Sequence, residues 1–313
     1  MVKKIKVKKI LNEKQIKSLI GVQLPKDYFK KVIKEDIDVI DEDGKYLLRF
    51  RKNVLPKHNI EKAYNAMIKH ANKISTARGV TGGNLENNKQ KKTGYNNPVK
   101  SNIIGYFDTL TPSIKKIFND ANIPDKMPIC RATAFTMYER EKWKDIIPLI
   151  KDIDKQYKKL FPKEHKKQHT ENQKTKFKID NTAFSTITLN LNLQTACHYD
   201  KGDFTEGYGN LIVLEKGKYK GGYTGFPEYG IAVDVREGDF LGMNVHKLHG
   251  NEPIEYLTKD AKRLSLVSYL RDNIPKKCKN TDILDYKYFD KIKLTAKQNN
   301  LKRKNKKTKK NII

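Results

Sequence analysis

Cysteine is nearly absent from this 313-residue chain. Cys130, Cys197 and Cys278 are far apart, odd in number and never in a Cys-x-x-Cys arrangement. That argues against a disulfide framework or a zinc finger and fits a reducing compartment. Long hydrophobic runs are lacking as well, and no apolar stretch approaches the roughly 20 residues that span a bilayer. The opening MVKKIKVKKI could pass for the basic start of a signal peptide. Glu13, Lys14 and Lys17 interrupt the apolar run that should follow. A soluble, intracellular protein is expected, with no membrane partner. Acids are also short: 36 Asp and Glu stand against 65 Lys and Arg, a net charge of +29. Abundant Lys beside abundant Asn and Ile can reflect solvation and composition bias. It equally suits a polyanionic partner, because Lys that neutralises phosphate releases counterions and binds in a salt-dependent way. With 37% hydrophobic residues, the chain can bury one sizeable core plus smaller attachments.

Residues 1–75 read as mixed, with helix dominant toward the end. Ile60, Tyr64, Met67, Ile68, Ala71 and Ile74 recur at helical spacing, with Asn59 placed to cap. Residues 77–100 are rich in Gly, Asn and Lys and read as a loop. A strand-like run spans Arg131–Tyr138, a helix follows around Asp145–Phe161, and residues 162–178 are polar and basic. From residue 183 the pattern changes to short strands. AFSTITLNLNL puts Ile187, Leu189, Leu191 and Leu193 on one face and Thr186, Thr188, Asn190 and Asn192 on the other. Further strands are expected at Leu211–Leu214, Ile231–Val235, Phe240–Met243 and Arg263–Leu270, which suggests a sandwich or barrel. The closing LKRKNKKTKKNII lacks a core pattern and reads as a basic tail, disordered alone.

Chemistry concentrates in three places. In Cys-His-Tyr-Asp-Lys-Gly-Asp (197–203), strand geometry would point His198 and Asp200 to one side, toward a shared ion. Alone this spacing is weak evidence. The segment Asn-Val-His-Lys-Leu-His-Gly-Asn (244–251) supplies His246 or His249, and Gly250 favours His249 by letting the backbone turn close to a metal. Arginine is scarce, nine against 56 Lys, so Arg263 at the head of a largely apolar strand needs a reason. With Ser265 on the same face it forms a fork-plus-hydroxyl site for a carboxylate. Two His and one carboxylate leave open metal positions, the facial arrangement of non-heme iron oxygenases. A chelating 2-oxoglutarate and O2 would use those positions, with Arg263 holding the far carboxylate.

At these residues the sequence resembles the 2-oxoglutarate/iron dioxygenases, and within them the TET/JBP group of DNA thymine and 5-methylcytosine oxygenases. The resemblance runs from about Gly105 to Arg271 and rests on GYFDTL, CRATAFT, FSTITLNLN, HYDKGDFTEGYGNL, YKGGYTGFPEYGIAVDVREGD, HKLHGN and RLSLVSYLR. It implies an α+β fold with a double-stranded β-helix (jelly-roll, cupin-like) core and flanking helices. The expected division is a basic helical and loop extension over 1–100, the dioxygenase domain over 101–275 and a basic tail over 276–313. By the family pattern His198, Asp200 and His249 bind Fe(II), and Arg263 with Ser265 receives 2-oxoglutarate, with O2 as co-substrate. Asp203, three residues beyond the metal Asp, would face the target base. The style is that of small viral, phage or protist members, without a Cys-rich region or a separate modified-base-binding domain.

The resemblance implies oxidation of a base methyl group with conversion of 2-oxoglutarate to succinate and CO2. A methyl buried in a duplex cannot reach such a site, so a flipped base or single-stranded DNA is expected. Asp203 can accept from the N4 amino of 5-methylcytosine or the N3–H of thymine, so the base stays open. Asn190 and Asn192 would contact base or co-substrate, or serve as strand-edge hydrogen bonders. Tyr208 and Phe226 are core residues by default, with stacking on a base as the alternative. The loop 85–100, the stretch 163–178 and the tail are candidates for holding phosphates. A protein or prolyl hydroxylase with the same iron set, and a non-catalytic DNA-binding module, are the competing readings. A monomer is assumed.

Overall fold

In a computed structural model the chain is described over residues 2–76, 78–83, 85–86, 89–90 and 98–310. The architecture is α+β in three layers. A nine-stranded sheet runs in the order Lys3–Lys6, Ile37–Ile40, Tyr46–Arg51, Phe240–Met243, Gly209–Lys216, Lys262–Tyr269, Thr186–Leu191, Ser101–Phe107, Arg131–Ala132. It is antiparallel except where Lys3–Lys6 pairs with Ile37–Ile40. A four-stranded sheet, ordered Gly250–Asn251, Thr224–Phe226, Ile231–Val233, Lys31–Ile33, forms a second layer. Helices Lys57–Ala71 and Arg140–Leu160 form the third.

The alternation read in AFSTITLNLNL determines which layer each side chain meets. Ile187, Leu189 and Leu191 join Leu264, Leu266, Ile212 and Leu214 against Ile60, Ala63 and Met67 of one helix and Ile146, Ile150 and Ile153 of the other. Each such fully buried aliphatic contributes roughly 1.5–3 kcal/mol. The opposite face sends Leu211, Val213, Leu241 and Met243 toward Phe226, Ile231 and Val233 of the smaller sheet. A cavity opens where polar residues of that face replace the aliphatic ones.

Several expectations need correction. Four short strands before residue 100 belong to the two sheets, alongside strands of the region 101–275. Lys31–Ile33 pairs in parallel with Ile231–Val233, some 200 residues away, so no local pattern announces it. Asn59 does not cap. The helix begins at Lys57 after Pro56, and Asn59 Nδ2 donates to Asp152 at 2.6 Å. Ile74 lies past the helix end and is exposed. The run Arg131–Tyr138 is strand only at Arg131–Ala132. Thr133 then caps the helix Ala134–Tyr138, and this local hydrogen bond outcompetes the alternation.

The polar stretch from 162 is the helix Pro162–Asn172. Its Gln168 and Asn172 are buried because their amides donate to the carbonyls of Ala183, Thr182 and Phe184. Its neighbours Lys167, Lys174 and Lys176 already meet Glu206, Glu171 and Asp282, which weakens that stretch as a phosphate surface. The C-terminal segment forms the helix Tyr286–Lys310 rather than a disordered tail, and only 311–313 of it lie outside the described residues. Most of the candidate loop 85–100 also lies outside them. Cys130 and Cys278 are joined in a disulfide with Cα atoms 6.2 Å apart, which overturns the thiol-only expectation. Their separation of 148 residues explains why spacing could not pair them. Cys197 is free and buried. No helix among the described residues is long and apolar enough to cross a membrane.

Candidate metal centre and its cavity

The floor of the cavity is a set of in-register rows across the large sheet. Ser101, Asn190 and Ser265 are successive partners, as are Thr188, Val267 and Leu211. All six line one cavity of about 650 Å3, closed on the other side by Thr224, Gly250 and Asn251 of the smaller sheet. Asn190 is 8% exposed and accepts from Ser101 Oγ at 2.5 Å, so it is fixed in place.

Two segments meet above that floor. His198 and His249 pair as an antiparallel bridge, with backbone N–H to carbonyl distances of 2.8 and 3.0 Å. Asp200 N–H donates to Val245 O at 3.0 Å, so the alternation continues and His198 and Asp200 share a side. His198 Nε2 lies 3.3 Å from Asp200 Oδ1, and His249 Nε2 lies 3.8 Å from Asp200 Oδ2. One ligand atom from each of the three falls within 4.8 Å of the others. His198 Nδ1 donates to Ala196 O at 2.7 Å and His249 Nδ1 to Lys247 O at 3.0 Å. That fixes both rings with Nδ1 protonated and leaves each Nε2 lone pair toward the shared point, as metal-binding imidazoles require. His246 is not in the cluster, and its Nε2 faces Phe204 O at 3.4 Å.

The segment His-Gly-Asn has a role at each residue. His249 contributes its Nε2 to the three-residue cluster. Gly250 sits against Cys197, whose backbone and sulfur would stand 3.1–3.2 Å from an added Cβ, so its use is close approach rather than a turn. Asn251 Oδ1 accepts from Thr195 N–H at 2.9 Å and so anchors the run-in to His198.

Charge at this point suits a cation. Burial favours a neutral Asp200, but the adjacent imidazoles of His198 and His249 outweigh it and bring the carboxyl down to about 2. Burial and the adjacent His198 push His249 down to about 4, leaving it neutral and available as a ligand. The donor set is therefore two imidazole nitrogens and an ionised carboxylate lining one cavity, which fits iron(II).

The residue model of Tet_JBP, the oxygenase domain of the 2OGFeDO superfamily, matches residues 113–272. The chain belongs to this family. It is 34% identical over 175 residues to thymine dioxygenase JBP1-A of Trypanosoma cruzi, covering 55% of this chain and 21% of that protein. It is 32% identical over 178 residues to the bifunctional helicase and thymine dioxygenase JBP2 of Leishmania braziliensis, covering 56% of this chain and 15% of that protein. The matched region is thus 21% and 15% of these two relatives' length. NgTET1, solved in complex with 5mC DNA, superposes with a TM-score of 0.51 over 88% of this chain and 95% of that one, at 16% identity.

Around the Tet_JBP triad the other candidates sort by position. Arg263 is 3% exposed and lines the cavity with Ser265, and its Nη2 has no hydrogen-bond partner. A buried guanidinium left so is costly unless an anion completes it. Asp203 also lines the cavity, 7% exposed, with Oδ2 unpartnered. Burial and the nearby Asp200 carboxylate raise its carboxyl well above the usual range, against the opposing pull of Arg271. Asn192 does not line the cavity. Its backbone is left-handed at φ 52° and its Oδ1 accepts from Arg263 N–H at 2.7 Å, making it a bracket for the Arg263 strand. Phe226 is fully buried in the inter-sheet core, and Tyr208 stacks on Phe161 at 4.2 Å, so both are packing residues.

Sequence reasoning missed Arg78 and Arg271. Arg78 lies within the loop beginning at 77, faces the cavity, and carries a second unpartnered Nη2. Arg271 holds Asp108 through Nε at 3.1 Å and Nη2 at 3.3 Å, and its Nη1 donates to Lys201 O at 3.1 Å. It thereby fixes the loop carrying Gly202 and Asp203. The same scarcity argument that exposed Arg263 applies to both.

Proposed function

We propose that this chain is an iron(II)- and 2-oxoglutarate-dependent dioxygenase that hydroxylates the 5-methyl group of a DNA base. The observation that carries the reading is one cavity holding the His198–Asp200–His249 cluster together with buried Arg263, whose Nη2 is without a partner. The two facing sheets around it are read as a double-stranded β-helix. Thymine is favoured by the 34% identity to thymine dioxygenases, with 5-methylcytosine as the second candidate.

Iron bound with 2-oxoglutarate and O2 supplies the oxidising chemistry. The protein's own residues bind, orient and exclude water. His198, Asp200 and His249 would hold the metal, their geometry fixed by the Nδ1 hydrogen bonds. Arg263 and Ser265 would take the far carboxylate of 2-oxoglutarate. Arg78, close enough to Asp200 for each to perturb the other, adds positive charge where the co-substrate's second carboxylate would lie. Leu211, Met243 and Val267 form an apolar wall that limits water. Tyr269, Asp203 and Arg271 occupy the other end, where a flipped or single-stranded base would enter. A carboxyl that keeps its proton would both donate and accept there, matching adjacent donor and acceptor atoms on either pyrimidine.

The test is the purified chain with Fe(II), 2-oxoglutarate and DNA containing thymine or 5-methylcytosine, run side by side and read by nucleoside mass spectrometry. A 5-hydroxymethyl product with stoichiometric succinate is expected. Absence of product from both bases refutes the reading, and hydroxylation of a peptide instead would favour the protein hydroxylase.

A further inference from the structure

The two strands that supply the base end of the cavity leave the sheet together. Ser101–Phe107 and Lys262–Tyr269 are both antiparallel to Thr186–Leu191, so they run the same way and exit at one end. Phe107 and Arg271 line the cavity there, with the guanidinium 4.7 Å above the ring. Beyond Phe107 the chain reaches Thr111, which caps the helix Pro112–Asp120. Beyond Arg271 it enters Asn273–Lys277 and then the long helix Tyr286–Lys310. These two helices pack through Phe118, Phe289, Ile292 and Ala296. Asn299 Nδ2 donates to Asp120 O and Asn300 Nδ2 to its carboxylate, each at 2.9 Å. The Cys130–Cys278 bond ties the connection between them to the body. The helix is therefore a docked element at the cavity end.

Its charge is one-sided. Between Tyr286 and Lys310 there are ten Lys and Arg303 against the single acid Asp290. Asp290 is satisfied by Lys293 at 3.0 Å and Tyr138 at 2.8 Å, and Asp120 opposite by Lys116 at 2.8 Å. Lys287, Lys291, Lys297 and Lys302 are exposed, and among the described residues none of the four stands within ion-pair distance of a carboxylate. Lys116, Lys293 and Lys297 rim a groove between the two helices, floored by Ile117 and Ala296. A 25-residue helix is about 37 Å long, close to one turn of duplex.

We propose that this helix pair is a phosphate-binding surface for duplex DNA, holding the backbone beside the end of the cavity where a base would enter. The inference rests on the base-oxidising reading of the cavity. Replacing four docked lysines removes contacts that each contribute about 0.9 to the salt slope.

The experiment compares the full chain with the variant K287Q/K291Q/K297Q/K302Q and its K→R counterpart, titrating a labelled duplex across salt concentrations. The glutamine variant should bind at least about 10-fold more weakly near physiological salt, with a slope of log K against log salt shallower by up to about 3.6. The arginine variant should bind like the parent. All three should bind 2-oxoglutarate equally, which excludes misfolding. Unchanged duplex affinity and slope in the glutamine variant overturns the proposal, as does tighter binding of the parent to an acidic polypeptide than to duplex. Product analysis separates the two readings. Hydroxylation by the parent with DNA binding intact in the glutamine variant rejects the surface alone. Helix-dependent DNA binding without any hydroxymethyl product rejects the base-oxidising reading and supports the surface.

Discussion

Replacing Arg263 by Ala should move two observables in different directions. The side chain is 3% exposed, its Nη2 is without a partner, and its cross-strand neighbour Glu215 is already bonded to Tyr219 Oη at 2.5 Å. Without co-substrate, the guanidinium is a buried charge with incomplete hydrogen bonding, so removing it should leave the melting temperature of the free protein unchanged or higher. With 2-oxoglutarate, removal breaks a buried charge-assisted pair, a loss of about 2–5 kcal/mol. That corresponds to roughly 30- to 4,000-fold weaker binding at 1.4 kcal/mol per decade. The assay is anaerobic calorimetric titration of the metal-loaded protein with 2-oxoglutarate, paired with thermal unfolding. The parent at a hundredfold excess over Kd should gain about 2.7 kcal/mol of stability, and the variant should lose that gain at the same concentration. Unaltered affinity would place the anchor elsewhere. A lower melting temperature with affinity retained would show that Arg263 is a structural residue and refute the argument.

Three further outcomes follow from the same geometry. His249→Ala should abolish Co(II) binding read by visible absorbance, and His246→Ala should preserve it; the reverse pattern would reassign the ligand. Gly202→Ala should lower turnover at least about 10-fold with metal binding kept. Its φ of +92° strains any side chain, and an added Cβ would stand 2.6 Å from Arg271 Nη1, displacing the Asp203 loop. His70 is held down to about 4, first by burial and then by Lys73, with Glu139 opposing. The unfolded chain therefore takes up this proton first, so its contribution is complete above about pH 6.5 and is lost as pH falls toward 4. His70→Gln should flatten the denaturation free energy across that window, and an unchanged pH slope would show that other groups set it.

Legibility in the sequence followed the range of the interactions involved. The alternation of Ile187, Leu189 and Leu191 and the spacing of His198 and Asp200 depend on neighbours two residues away, and the structure places them as read. Arg263 stood out because its residue type is rare and its surroundings apolar. Arg78 was hidden by its setting in a Gly-, Asn- and Lys-rich loop, where a cation looks like solvated surface. The strands before residue 52 were missed because they are short and their partners are distant, as with Lys31–Ile33 beside Ile231–Val233. Polarity misled at Gln168 and Asn172, since side chains that satisfy backbone carbonyls can be buried as fully as leucine.

The register of the large sheet separates two tasks along one cavity. Arg263 and Ser265 open the strand Lys262–Tyr269, and Ser101 opens Ser101–Phe107, which runs the same way on the far side of Thr186–Leu191, so hydroxyls and the buried guanidinium gather at one end. Tyr269 and Phe107 close those strands, and Arg271, clamped to Asp108, holds the Asp203 loop at the other end. The His198–His249 bridge hydrogen-bonds to neither strand, because its own backbone pairing is complete. The geometry of the His198–Asp200–His249 cluster can therefore stay fixed while either end changes. On the proposed reading, residues at the Asp203 end would set the choice of base without disturbing the end that receives the co-substrate. On the same reading, the basic helix departing from that end would let contacts to a DNA backbone vary independently of both.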